Sequence, residues 1–136
     1  MIADSITIIP RRLIVDDRGV FIKCVTGAEK DLPPRTGEVY VVIARAGQRR
    51  GDHYHLAARE WFTVVAGRGR LSLMDVRSGE RLDLHMSASQ PASVCVPPGL
   101  AHVFINDAED GLDLVIVAYT DRPYEPADTV PHVVPA

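Results

Sequence analysis

The sequence holds no run of about 18 apolar residues, so no segment of it reads as a membrane-spanning helix. Its first residues, MIADSITIIPRR, lack a charged stretch followed by a long apolar one. No signal peptide is therefore expected, and the expected location is the cytoplasm. Aromatic residues make up only 6% of the chain, too few for a platform that stacks nucleic-acid bases. There is no basic block and the net charge is −3, which excludes a partner recognised through a nucleic-acid backbone. A few placed arginines can still hold one nucleotide diphosphate. Cysteine is scarce too: Cys24 and Cys95 sit in the apolar runs FIKCVTG and ASVCVPP, with no C-x-x-C pair. Both are expected to be buried thiols of a reducing compartment. A helical period is almost absent; the one helical turn expected covers 28–31.

What the chain does have is β-type sequence. Its 136 residues, 46% apolar and 24% charged, suit one globular domain over 1–136, with a core of about 11–120 and a proline-rich tail at 121–136. Strands are expected at 6–9, 11–15, 20–25, 38–44, 52–55, 61–66, 68–74, 80–85, 92–96, 101–106 and 113–119. Turn residues separate them: Asp16-Asp17-Arg18-Gly19, Asp31-Leu32-Pro33-Pro34, Gly67, Arg77-Ser78-Gly79 and Pro97-Pro98-Gly99. So many short strands must bury a face and manage their edges, which an all-β closed barrel or double-sheet jelly roll achieves. The tail DRPYEPADTVPHVVPA shows little alternation and is expected to run over the surface or dock on a partner subunit, without adding a central strand.

The chemistry concentrates in the middle of the chain. On a strand, His53 and His55 point to one face, being two residues apart. Glu60 opens the next strand after a short turn, and His102 follows the Pro97-Pro98-Gly99 corner. Three imidazoles and a carboxylate suit Zn²⁺, Fe²⁺, Ni²⁺ or Mn²⁺. His85 and His132 lie apart from this pattern and read as surface residues. Arg18 and Arg50 are candidates for gripping a diphosphate, because guanidinium forks match phosphate oxygens. Arg49 should face away from Arg50 and lie at the surface. Trp61 and Phe62 should divide between core and groove.

These residues resemble the two motifs of the cupin superfamily. Gly47, His53, His55, Glu60 and Gly67 fit the first, and Pro97, Gly99, His102 and Asn106 fit the second; Pro91 stands where the second motif begins with glycine. The resemblance implies a cupin fold, a double-stranded β-helix or jelly-roll barrel. A narrower likeness is to dTDP-4-dehydrorhamnose 3,5-epimerases, carried by Arg50-Gly51-Asp52-His53-Tyr54, Asp16-Asp17-Arg18-Gly19-Val20-Phe21 and Leu100-Ala101-His102-Val103-Phe104. Over the whole length, including Gly37-Glu38-Val39-Tyr40 and the stretch from Arg122 to Asp128, the chain resembles the metal-bearing cupin domain of the bifunctional capsular-polysaccharide reductase/epimerase. Sugar 3,4-ketoisomerases share its histidine run.

This likeness implies a sugar-nucleotide epimerase or ketoisomerase that deprotonates a dTDP- or UDP-4-keto-6-deoxyhexose beside its carbonyl. The histidine at the His53 position is the base in the epimerases. Those enzymes have glutamine where His55 stands and glutamate where Lys23 stands, and their later lysine has no match near Trp61. The candidate proton donors are tyrosines: Tyr40 and Tyr119 first, then Tyr54 and Tyr124. A divalent metal on His53, His55, Glu60 and His102 and a nucleotide-sugar substrate are expected. So is a homodimer, in which related cupins exchange N-terminal strands and can share residues such as Arg18. Two other classes fit the same ligand set: a metal-dependent oxygenase or lyase acting on a small organic acid, and a non-catalytic cupin that binds metal or sugar.

Overall fold

The computed structural model describes residues 1–5 and 7–135. After a short helix, α1 (Ile2–Ser5), come ten strands: β1 (Leu13–Asp16), β2 (Gly19–Val25), β3 (Glu38–Ala44), β4 (Arg49–His55), β5 (Glu60–Ala66), β6 (Arg68–Asp75), β7 (Arg81–Ser87), β8 (Ser93–Val96), β9 (Leu100–Ile105) and β10 (Leu114–Thr120). A 3-10 turn (Pro126–Asp128) then leads into a last strand, β11 (Thr129–Pro131). Two expected elements differ. Of the strand expected at 6–9, Ile6 lies outside the described residues, and 7–9 pair with no neighbouring strand and carry no ladder. The 28–31 segment is a turn, not a helix, because Asp31 takes a positive φ of 69° just ahead of two prolines.

The strands form two antiparallel sheets. One has six strands in the order β1-β2-β3-β10-β5-β8, the other five in the order β11-β4-β9-β6-β7. Among the described residues no strand pairing joins the two sheets, so the double-stranded β architecture is present without the closed barrel that was expected. Alternation along β10 explains the layering. Leu114, Ile116, Ala118 and Thr120 point inward and are buried, while Val115, Val117 and Tyr119 point out. Residues of both sheets, among them Phe62, Val64, Leu71, Phe104 and Ile116, meet in one core. Gly67 turns the chain from β5 into β6 at φ 76°, and a Cβ there would fall 2.2 Å from the carbonyl oxygen of Asp113.

The tail runs exposed over 122–127 and adds no central strand, as expected, but its end docks on this chain's own sheet. β11 extends the five-stranded sheet as an edge strand beside the histidines, with Thr129 opposite His55 and Pro131 opposite His53. Beyond it, fully buried Val134 covers Ala101, Val103 and Ile105 on the outer side of β9. Arg49 and Asp52 pin this stretch. Arg49 Nη2 donates to Asp52 Oδ1 (2.7 Å) and to the Val134 carbonyl (2.8 Å), and Asp52 Oδ1 accepts from the Val134 amide (3.0 Å). Arg49 is thus a half-buried clamp and not a surface residue. His132 is likewise half-buried, with its ring 6.0 Å from that of Tyr54. Cys24 and Cys95 are exposed, contrary to expectation. Cys95 lies opposite Trp61 on the outward side of the six-stranded sheet, where no further layer covers it.

Candidate metal centre and its cavity

One residue of β4 decides what the centre looks like. Opposite β9, Gly51 pairs with Val103 and His53 pairs with His102, so Asp52 is an extra residue, a β-bulge, with φ 59°. Strict alternation would put Arg49 on the face of His53 and send Arg50 to the other side. The bulge reverses the face, and Arg50, His53 and His55 all line the cavity. Gly51 makes the approach of β4 to β9 possible, since a Cβ there would lie 2.7 Å from the His102 carbonyl oxygen.

The cavity has a volume of about 460 Å³. Phe62 and Phe104, both core residues, form part of its lining, and tail residues Arg122 to Glu125, Asp128 and Thr129 form another part. On its inner surface His53, His55, Glu60 and His102 converge: one ligand-type atom from each lies within 4.8 Å of the others. Glu60 and His102 are buried, and the other two are half-buried. The ring centroids of His53 lie 4.9 Å from His102 and 5.2 Å from His55. These four come together as the spacing predicts.

Their polar atoms fit a divalent cation. Glu60 Oε1 is 2.7 Å from His55 Nε2 and 3.3 Å from His102 Nε2. Yet Glu60 Oε1 and His55 Nε2 are buried without a hydrogen bond of acceptable alignment. Lone pairs that crowd together without bonding one another form a donor set for a cation. The far sides of the rings are held as metal-binding imidazoles usually are. His102 Nδ1 is 3.0 Å from the Leu100 carbonyl, which directs its other nitrogen inward. His55 Nδ1 is 3.2 Å from Asp128 Oδ2 and 3.4 Å from Thr129 Oγ1.

The electrostatics of His53 agree. Burial, helped by the neighbouring imidazoles of His102 and His55, pushes the pKa of His53 down to about 4, so its ring is neutral and its lone pair available at neutral pH. Burial also opposes ionisation of Glu60, but the adjacent His102 and His55 rings prevail and hold its carboxyl well below the usual range. For His55 burial is again outweighed, here by Glu60 and then Asp128, and the pKa rises. The Tyr40 hydroxyl donates to Glu60 Oε2. Burial, and then the negative charge of Glu60, push that phenol well above its ordinary value.

The remaining predicted residues divide. Arg50 lines the cavity with a side chain only 13% exposed, and its Nη1 is 3.4 Å from Asp16 Oδ1. Burial and the like charge of Arg18 lower its pKa from a very high starting value. Arg18 stands outside the lining, half-exposed, paired with Asp16 at 2.8 Å. The hydrogen bonds from the Arg18 side chain and amide hold Asp16 down at about 2. Tyr119 is not brought to the cavity. It points outward from β10, opposite Trp61, with the two rings 5.6 Å apart. Tyr54 packs with the tail, and Tyr124 lines the mouth.

Sequence reasoning missed two features. Asp128 accepts from the amides of Ala57 (2.6 Å) and Ala58 (3.3 Å) as well as meeting His55. Nothing in the local pattern of the tail announces this. Glu38, paired with Lys23, is buried in the cavity wall, and here a signal existed: a carboxylate heading the apolar strand EVYVVIA, two residues before Tyr40.

The family model of the polysaccharide biosynthesis C-terminal domain matches residues 14–130. No curated protein matches the sequence. Among solved structures, the chain is similar to the capsular polysaccharide assembling protein CapF from Staphylococcus aureus. The TM-score is 0.81 and the identity 28%, covering 92% of this chain and 35% of that one. This chain therefore spans about a third of that relative. It is also similar to dTDP-4-dehydrorhamnose 3,5-epimerase from Bacillus anthracis, solved with TDP and PPi (TM-score 0.63, 22% identity, 89% of this chain and 74% of that one). A third likeness is to ChmJ, a 3'-monoepimerase from Streptomyces bikiniensis, solved with dTDP (TM-score 0.62, 22% identity, 91% and 66%). The likeness to these two epimerases is one of fold.

Proposed function

The chain belongs to the polysaccharide biosynthesis C-terminal domain family, and from that premise we propose that it is a sugar-nucleotide epimerase or ketoisomerase. Its substrate is a dTDP- or UDP-linked 4-keto-6-deoxyhexose, deprotonated at a carbon beside the carbonyl. The observation that carries this reading is one cavity holding both a metal-type donor set and an inward arginine, Arg50. His53, His55, Glu60 and His102 would hold a divalent ion, which would supply a Lewis acid for the sugar carbonyl. Arg50 grips the diphosphate from within, Arg122 meets it at the mouth, and Arg18 steadies Arg50 through Asp16. Phe62 and Phe104 offer an apolar surface to the sugar, and the tail shields it from water. Tyr40 keeps its proton on Glu60 and orients that carboxylate, while His53 serves as a ligand. Incubating the metal-loaded protein with dTDP- and UDP-4-keto-6-deoxyglucose in D₂O tests the reading. Deuterium should enter beside the carbonyl. Its absence with both nucleotides ends the proposal, and oxygen uptake dependent on added Fe²⁺ would select an oxygenase instead.

We also infer a homodimer, formed through the outer face of the six-stranded sheet. Leu13, Val15, Val20, Ile22, Val39, Val41, Ile43, Val115, Val117, Tyr119, Trp61 and Val65 lie on that face, and no charged side chain from its strands joins them. Leu13, Val15 and Val65 are 60%, 53% and 50% exposed in the single chain. Apolar patches of this extent mark interfaces. At about 4.8 Å between strands and about 3.3 Å per residue the face covers roughly 600 Å² per copy, enough for a standard interface of about 1,200 Å² in total. Sedimentation should report a dimer at micromolar concentration; a monomer there removes this inference.

A further inference from the structure

Lys23 and Glu38 form an ion pair in the cavity wall that the metal centre does not use. Lys23 Nζ stands 3.3 Å from Glu38 Oε1 and 3.4 Å from Oε2. Glu38 is only 4% exposed, and its Oε2 also accepts from the Tyr124 amide at 2.6 Å. The ammonium lies 5.0 Å from the centroid of the Tyr124 ring. Across the sheet Glu38 pairs with Thr120, and Thr120 pairs with Glu60. The carboxylate is thus two strands, about 10 Å of backbone, from the metal-binding one.

An ion pair with one buried partner, Glu38, and one partly exposed partner, Lys23, is a poor stabiliser, since apolar residues often serve stability as well or better. Its place on a cavity wall therefore asks for a use. Around the metal-type set the proton-carrying groups are committed, while Tyr124 and Glu125 stand at the mouth. The three imidazoles and Glu60 face one another as metal donors, Tyr40 donates a hydrogen bond to Glu60, and Asp128 holds His55 and two amides. Among the described residues Glu38 Oε1 has no partner but the Lys23 ammonium.

We propose that Glu38 is the general base of this site and Lys23 the positioning residue that aims it. This rests on the isomerase reading. The C–H bond beside the carbonyl breaks, its proton passes to Glu38 Oε1, and its electron pair shifts through the new C=C bond onto the carbonyl oxygen. Return of that proton from Glu38 on the same face regenerates the substrate. Protonation of the enolate by water from the side of the five-stranded sheet inverts the carbon, and the resulting hydroxide is neutralised by the proton on Glu38.

The test is deuterium wash-in from D₂O into the 4-keto sugar nucleotide, run on the wild-type chain and on Glu38→Gln, Glu38→Asp, Lys23→Arg and Lys23→Met, with metal content and nucleotide affinity measured alongside. Glu38→Gln should slow exchange by about 100-fold or more while metal content and nucleotide affinity stay at wild-type levels. Glu38→Asp, which keeps the ion pair but withdraws the oxygen, should slow it by about 10-fold and serves if the glutamine variant does not fold. Lys23→Arg should retain most of the exchange and Lys23→Met should lose it. Added formate should restore exchange to Glu38→Ala, a rescue that a merely structural carboxylate would not show. Wild-type exchange rates in Glu38→Gln or Glu38→Asp overturn this assignment and leave the isomerase reading standing. A wild-type chain that exchanges nothing overturns both.

Discussion

Asp128 brings the carboxylate by which the tail reaches the metal centre, beside Thr129, and replacing it separates two roles. Its carboxylate meets His55 Nδ1 at 3.2 Å and accepts from the Ala57 and Ala58 amides at 2.6 and 3.3 Å. Asp128→Ala removes all three contacts. Losing an outer carboxylate behind a metal-binding histidine weakens metal affinity about 10- to 100-fold, which is about 1.4 to 2.7 kcal/mol. Losing the acceptor of two backbone amides removes about 0.5–1.5 kcal/mol each, or about 1–3 kcal/mol of folding stability. Asp128→Asn splits the two effects. Its amide oxygen can still accept from Ala57, so much of the stability should survive, whereas the negative charge behind His55 is gone and metal affinity should still fall. Chelator-competition titration measures the first quantity and urea unfolding of the metal-free chain the second. Metal affinities within twofold of wild type for both variants would refute the claim that the tail orients His55.

Three other outcomes follow from the same geometry. Gly51→Ala forces a side chain into positive φ and against the His102 carbonyl; it should lower unfolding stability by about 1–3 kcal/mol and reduce metal stoichiometry, read by denaturation and elemental analysis. Tyr40→Phe removes the donor to Glu60 Oε2, and should leave stability within about 1.5 kcal/mol while weakening chelator-resistant metal binding. Leu71→Ala opens a cavity at a fully buried core position and should cost about 2–5 kcal/mol by urea unfolding, with the metal affinity of the folded fraction unchanged.

Much of the fold was legible because strand signals are local. The apolar run over Glu38–Ala44 and the alternating stretch after Glu60 give their strands directly, and β3 begins and ends at the residues expected. The strand expected at 6–9 failed for the complementary reason: β-type residues make a strand only when another strand supplies hydrogen bonds, and none pairs with 7–9. The exposed cysteines failed likewise. Both sit in apolar runs, but on the outer side of a sheet, and a run does not say which face a second layer covers.

By itself the sequence determined the metal-type set. His53 and His55 share a face through the period of a strand, Glu60 opens the next one, and the corner at Pro97-Pro98-Gly99 leads back to His102. What surrounds that set was decided by tertiary structure. A single extra residue, Asp52, turns Arg50 inward and Arg49 outward, a reversal that depends on how β4 registers against β9. Tyr119 was sent to the outer face by the pairing of β10 with β5. Asp128 meets His55, 73 positions earlier in the chain, only because β11 adds to the edge of β4. The ligands are close in sequence or bound to rigid turns, so local rules reach them; their supporting residues arrive through register and chain return, which no local pattern records.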